Sequence, residues 1–329
     1  MKELLRNLTA IASPSGREEP IRAFIQRELE NYCDELKADT LGNLIAVKHG
    51  GKAKLQLAAH MDEIGIIVTA IDEQGFLRFA NVGGINPHRL YGQRVRFKNG
   101  TIGVIGAEKI DDIKELTLEK LFIDVGASSE AEAKAKVGVG EMAAFDHGFV
   151  DLGQRVIAKA LDNRVGCAVL IEALKRVSKP QNDLYCTFTV QEEVGLRGAR
   201  TAAFGLDPDL AIALDVTGTG DTPEAPKLAM KLGQGAAIKV KDVSLITHPR
   251  VKDLLTELAE KNDIPYQFEV LPFGGTDAGA IHLTKAGIPS GVISIPCRYL
   301  HSPSEMVDLN DVEAAIRLVV AVMEKNIDI

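Results

Sequence analysis

The sequence predicts an α/β protein: a doubly wound sheet with helices on both faces, interrupted by a small inserted β-barrel or sandwich. Two observations carry that prediction. From about residue 157 onward, β-prone and amphipathic helical segments alternate, the pattern of a sheet covered by helices. Between about 66 and 156 the texture changes to short β-prone segments punctuated by turn signals. The 329 residues suit two domains at the usual ~100–200 residues each. The economical arrangement is one α/β domain built from 1–65 and 157–329, with a β domain inserted at 66–156.

Residues 1–33 read as two helices broken by Ser13-Pro14-Ser15-Gly16, the second carrying Ile21, Phe24, Ile25 and Leu29 at helical spacing. Strands follow at 43–48 and 54–59, the latter running into Ala59-His60-Met61-Asp62-Glu63-Ile64-Gly65. Within the insertion, 75–79, 93–97 and 101–107 are β-prone, separated by Gly83-Gly84 and by Asn99-Gly100, a strong hairpin signal. A strand at 155–160, a helix at 165–177, a strand at 185–190, a helix beginning at 198–203 and a strand at 210–216 come next. A helix at 252–261, a strand at 267–271, a helix at 277–285, a strand at 290–295 and a closing helix at 312–325 complete the alternation. There is no internal repeat.

Composition narrows the function. With 46% hydrophobic and 26% charged residues the chain has ordinary globular composition. Its 38 Lys+Arg against 46 Asp+Glu give a formal net charge of −8, which argues against a nucleic-acid partner. No apolar run approaches the ~18 residues of a membrane span, and the opening Met1-Lys2-Glu3-Leu4-Leu5-Arg6 begins an amphipathic helix, not a secretory signal. Cys33, Cys167, Cys186 and Cys297 lie far apart with no C-x-x-C, so they read as reduced, mostly buried thiols. A soluble cytoplasmic protein is expected. The absence of Trp leaves few platforms for stacking sugars or single-stranded bases.

Open α/β sheets place their sites at the carboxyl ends of the strands. Five predicted strand ends carry titratable groups: His60 and Asp62, Asp162, Glu192 and Glu193, Asp215, and His301. Singly each has a plain reading, His60 as a turn histidine, Asp162 as a helix N-cap, the Glu pair as a solvated face. Together, two histidines and three carboxylates make a set suited to two divalent transition-metal ions such as Zn²⁺. Asp162, Glu193 and Asp215 offset three of the four positive charges, and a bridging hydroxide closes the balance. Asp62, two residues after His60, is placed to accept the ring's other N–H and fix its tautomer. Glu192 is then a spare carboxylate, which a hydrolase needs as general base.

His60-Met61-Asp62, Leu161-Asp162-Asn163-Arg164, Gln191-Glu192-Glu193-Val194-Gly195, Ala213-Leu214-Asp215-Val216 and Leu300-His301-Ser302-Pro303 resemble, in order and spacing, the metal-site motifs of the TET-type dinuclear metallo-aminopeptidases. That family includes glutamyl and deblocking aminopeptidases and proteins labelled endoglucanases. The resemblance spans essentially the whole chain, takes in Gly274-Gly275-Thr276-Asp277 and the β insertion, and departs at no proposed site position. It implies a zinc-exopeptidase-like fold and an aminopeptidase that removes N-terminal residues from short peptides. It implies one ion, Zn²⁺ or Co²⁺, on His60, Asp162 and Asp215 and a second on Asp162, Glu193 and His301. Asp162 would bridge them, Glu192 would be the base and Asp62 would orient His60. It also implies a homo-oligomer, a tetrahedral dodecamer built from dimers through the inserted β domain.

Two other activities suit parts of the same pattern. A deacylase or carboxypeptidase would use the same dinuclear scaffold. Glycoside hydrolysis is less suited, since it needs two carboxyls roughly 5–10 Å apart across a sugar, and adjacent Glu192 and Glu193 are poorly placed for that. His88, His147, His248 and His282 read as structural or surface residues, and Arg298 is a candidate for contacting acidic substrate side chains.

Overall fold

A computed structural model of the chain describes residues 1–51 and 53–327. The expected ranges 1–65 and 157–329 include positions 52, 328 and 329, which lie outside the described residues. Four strands form the parallel centre of the main sheet, in the order Asp183–Thr189, Lys54–His60, Leu210–Gly218 and Ser290–Arg298. Arg155–Ala158 is joined to Ser290–Arg298 through Glu305–Asp308, antiparallel to both, and so runs in the same sense as the centre. All five strands therefore send their carboxyl ends to one edge. Leu44–Lys48 and Glu35–Ala38 extend one side, Val150–Asp151 the other, and Ala236–Lys241 with Tyr266–Val270 branch from Ser290–Arg298, giving 11 strands among the described residues.

Side-chain alternation decides which helix layer each strand residue meets. Leu55, Leu57 and Ala59 enter the larger core, which they share with the helices Lys2–Ala10, Glu19–Leu29, Leu161–Arg176, Pro249–Lys261 and Leu309–Met323. Ala58, from the same strand, joins Ala199, Ala203, Ala280 and Ile281 in a thinner layer under the helices Arg197–Leu206 and Asp277–Ile281. Central strands buried on both faces read as nearly continuous apolar runs, as in Leu210-Ala211-Ile212-Ala213-Leu214. Helices on both faces are as expected. The helix expected at 277–285 is shorter, ending at Ile281, because Lys285 and Gly287 adopt left-handed backbone and 282–287 turns back on itself.

The inserted strands Gly65–Ile71, Leu77–Val82, Leu121–Asp124, Ile102–Ala107, Arg94–Phe97 and Met142–Phe145 close into a barrel. Closure leaves no unpaired edge. Its core is separate, formed by residues such as Ile66, Val68, Leu77, Phe79, Val95, Phe97, Ile105 and Ile123. Asn99-Gly100 turns the hairpin between Arg94–Phe97 and Ile102–Ala107, with Gly100 at φ +91°. No helix among the described residues is long and apolar enough to cross a membrane.

One buried ionic knot ties the first helix to the sheet edge. Glu63, 1% exposed, accepts hydrogen bonds from Lys159 Nζ (2.7 Å), from Arg164 Nη2 (3.3 Å) and from the Ser13 N–H (2.8 Å). Arg164, fully buried, also donates to the carbonyls of Met61 (2.9 Å), Ile11 (3.1 Å) and Leu8. Glu63→Gln would leave two buried cations facing a neutral amide. Breaking such a pair costs about 3–5 kcal/mol, so the denaturation midpoint should fall sharply, measured by urea unfolding at fixed protein concentration. A midpoint within error of wild type would show the knot to be energetically neutral.

Candidate metal centre

The converging strand ends bring His60, Asp162, Glu192, Glu193, Asp215 and His301 together. His60 Nε2 lies 3.2 Å from Asp162 Oδ1 and 3.7 Å from Asp215 Oδ1. His301 Nε2 lies 3.3 Å from Asp162 Oδ2 and 3.4 Å from Glu193 Oε2. Asp162 therefore offers one oxygen to each imidazole. In each of the two groups, His60–Asp162–Asp215 and Asp162–Glu193–His301, the donor atoms lie within 4.8 Å of one another. Ligands at about 2.0–2.2 Å from one Zn²⁺ fall inside that separation. Glu192 Oε2 is 3.9 Å from His60 Nε2, beside the first group and outside both.

The loops carrying these side chains are held by other carboxylates. Asp62, fully buried, accepts from the Ser15 hydroxyl (2.6 Å) and from the N–H groups of Glu192 (3.1 Å) and Glu193 (3.2 Å), while its Oδ1 faces His60 Nδ1 at 3.4 Å. Burial alone would raise its pKa. The bonding and charge of His60, with the Ser15 and Glu192 donors, outweigh that and hold it below the usual carboxylate value. Glu305 accepts from the Asp162 N–H with one oxygen (2.8 Å) and from the His301 N–H with the other (2.9 Å). Asn163 donates to the Leu214 carbonyl at 2.7 Å, locking the Asp162 loop to the Asp215 strand. Thr189 donates its hydroxyl to Asp277, whose other oxygen is buried without a partner. Three of the loops place a non-glycine residue in left-handed backbone, Ala160, Gln191 and His301. Such positions cost of order 1–3 kcal/mol each and cluster where function requires them.

Two simpler readings of these residues fail. The chain kinks at Asp162 and Asn163, and the side chain that caps the helix beyond the kink is Asn163, whose Oδ1 accepts from the Gly166 N–H at 3.1 Å, so Asp162 is not the N-cap. The Glu192 and Glu193 side chains are 11% and 3% exposed, so the pair does not lie on a solvated face. Arg298 is engaged by Asp221 through Nε (2.9 Å) and Nη2 (2.7 Å), which removes it as a free cation for an acidic substrate. His147 bonds Gln93 and His282 the Ala278 carbonyl; His248 precedes the helix Pro249–Lys261, and His88 sits on the turn Pro87–Arg89. None of the four joins either donor group.

The electrostatics are those of a cation site. Among the described residues no Lys or Arg stands within ion-pair distance of Asp162, Glu192, Glu193 or Asp215; their partners are His60 and His301 alone. Burial, reinforced by the charge of Asp162, pushes the Glu193 carboxyl up to about 8. Burial likewise drives Glu192 well above the usual range, with Asp215 and Glu193 adding to it. The His301 imidazole is raised to about 10 although burial opposes it, because Asp162 and Glu193 stabilise its charged form. Glu193 Oε1 is buried with no hydrogen-bond partner. A dense set of buried oxygen and imidazole donors, short of positive charge and with an orphaned lone pair, fits divalent metal ions.

A mixed sheet with a parallel centre, carrying such a donor set at its carboxyl edge and a closed barrel beside it, is an architecture that solved aminopeptidases share. The aminopeptidase APDkam598 from Desulfurococcus kamchatkensis matches with a TM-score of 0.95 at 43% identity, over 98% of this chain and 94% of that one. The TET1 peptidase of Pyrococcus horikoshii, which assembles into a tetrahedron or a large octahedral shell, matches with a TM-score of 0.88 at 37% identity, over 98% of each chain. The lysyl aminopeptidase of Pyrococcus furiosus is 36% identical over 338 aligned positions, covering 98% of this chain and 96% of that one. The model of the M42 glutamyl aminopeptidase family matches residues 42–318. The chain belongs to the M42 family and is an aminopeptidase.

Proposed function

We propose that the protein removes N-terminal residues from short peptides using two divalent ions, Zn²⁺ or Co²⁺, that share Asp162. The observation that carries this reading is the divided carboxylate of Asp162, with one oxygen toward His60 and the other toward His301. His60 and Asp215 complete one ligand set, and Glu193 and His301 the other. The two ions, when bound, supply polarisation of the scissile carbonyl and a lowered pKa for the attacking water. Glu192 takes the water's proton and passes it to the leaving amine. Asp62 aligns this machinery, since it faces the His60 ring and accepts the N–H groups of both Glu192 and Glu193. All four cysteines are free thiols, which suits a reducing, cytoplasmic setting.

We further propose that the chain forms a large homo-oligomer, a tetrahedral dodecamer, as named for TET relatives. Large apolar side chains stand exposed on the inserted barrel, such as Tyr91 (63%), and more so on the α/β part, at Ile246 (73%), Leu283 (72%), Val243 (68%) and Phe204 (64%). Phe204 and Leu283 line one hollow of the α/β surface, which suits assembly contacts there in addition to those of the inserted barrel. Light scattering should give a mass many times that of one chain at micromolar concentration, and a monomer would refute the assignment.

The adjacent glutamates separate the roles of ligand and base. Glu192→Gln keeps shape and leaves the ligand sets intact, so two ions should stay bound while kcat falls about 10²–10⁴-fold. In Glu193→Gln an amide replaces an anionic ligand. Metal content should drop, and excess Zn²⁺ or Co²⁺ should recover part of the activity. Elemental analysis and kcat on both variants check this; metal loss in Glu192→Gln with full retention in Glu193→Gln would reverse the two roles. Asp162→Ala should lose both ions on dialysis and His301→Ala mainly one. Two ions per subunit in Asp162→Ala would rule out a shared carboxylate.

A further inference from the structure

The inserted barrel supplies none of the candidate ligands, yet one of its turns reaches the metal centre. We propose that Gly83-Gly84 is a positioning element of the catalytic site: it sets the His301 ring and thereby the affinity of the ion assigned to Asp162, Glu193 and His301. The inference rests on the two-ion reading above and adds to it a role for the insertion in the chemistry.

The Gly84 carbonyl lies 2.7 Å from His301 Nδ1. A carbonyl only accepts, so Nδ1 carries a proton, and Nε2, which faces Asp162 and Glu193, is the nitrogen left to give its lone pair to an ion that displaces its proton. The turn comes this close because it has no side chains. A Cβ on Gly84 would stand 3.0 Å from Nδ1 and 3.2 Å from Cε1 of the His301 ring. A Cβ on Gly83, at φ +82°, would stand 2.8 Å from Ile64 Cγ2 and 3.2 Å from both Cβ and Oε2 of Glu193. The two glycines thus abut the two ligands that belong to the second group alone, and the atoms nearest to either Cβ include none of His60 or Asp215.

Asn81 braces the turn from within, donating its side-chain amide to the Gly83 carbonyl at 2.6 Å. Arg89, a few residues on, donates to the carbonyl of Leu300, the peptide that precedes His301. His301 needs outside support: its backbone is left-handed at φ +54°, and its side chain is 40% exposed against 2% for His60 and 9% for Asp162. Glu305 holds its N–H from the sheet side, and the barrel holds its ring from the other.

Gly84→Ala is the direct test, because Gly84 is not among the left-handed glycines and its added methyl would meet the His301 ring. Metal-stripped wild type titrated with Co²⁺ by calorimetry should bind two equivalents. In Gly84→Ala one equivalent should keep its affinity and the other should weaken about 10–100-fold, the usual cost of disturbing a ligand's hydrogen-bond partner. Gly100→Ala, on the same barrel at φ +91° with open space around it, should bind both as wild type does. Arg89→Ala should weaken the same single equivalent, and Arg89→Lys should restore part of it. If His301→Ala itself keeps two equivalents, the two-ion reading fails. If His301→Ala loses one while Gly84→Ala and Arg89→Ala bind both normally, the ions are as assigned and the turn has no positioning role. Equal weakening in Gly84→Ala and Gly100→Ala would trace the effect to general loosening of the barrel, which also overturns the proposal.

Discussion

The structure is organised around a concentration of buried negative charge. Asp62, Asp162, Asp215, Asp277 and Glu305 are each at most 8% exposed and lie at one edge of the sheet with Glu192 and Glu193, where, among the described residues, His60 and His301 are the only basic partners of Asp162, Glu192, Glu193 and Asp215. Gathering so many carboxylates away from water costs several kcal/mol per uncompensated ion. The fold meets this demand in two ways. Some carboxylates are turned into backbone anchors, as Asp62 is for residues 192 and 193 and Glu305 is for residues 162 and 301. The remainder face one another across a gap suited to divalent cations, so metal binding and ordering of the loops contribute to the same free energy.

Strand direction makes that concentration possible. A parallel centre, with Arg155–Ala158 brought into the same sense by one antiparallel intermediary, puts five loop starts at one edge. The helices behind it are packed by the larger core and by the Glu63–Lys159–Arg164 knot, which joins the residues just after His60 to the start of the Leu161–Arg176 helix. Rigid packing below and strained backbone above are the usual division of labour at a site, since left-handed residues such as Gln191 and His301 persist only where their surroundings over-determine them.

The barrel has a double character. Its closed strands and separate core make it an independent body, and its exposed apolar side chains suit it to contacts with other copies. Its Gly83-Gly84 turn nevertheless touches Glu193 and His301. The turn thereby joins the proposed assembly element to a loop of the candidate metal centre.

The sequence alone determined the class of fold and the cast of chemical groups, because both leave local marks. Strand–helix alternation, the Asn99-Gly100 turn, and charged residues following apolar strands are features of neighbouring positions, and every one of the seven residues named from them lies at the sheet edge. Tertiary structure alone decided how they are held. Glu305 and Asp162 are 143 positions apart, and Gly84 and His301 are 217 apart. A hydrogen bond across such a distance has no periodicity, and the short polar strand Glu305–Asp308 forms only because it is paired with a neighbour on each side. Arg298 shows the same limit from the other direction, since its neutralising partner Asp221 is brought to it by the fold and by nothing adjacent in the chain. Local pattern specifies which groups reach the edge; the long-range contacts specify each group's orientation, tautomer and free charge.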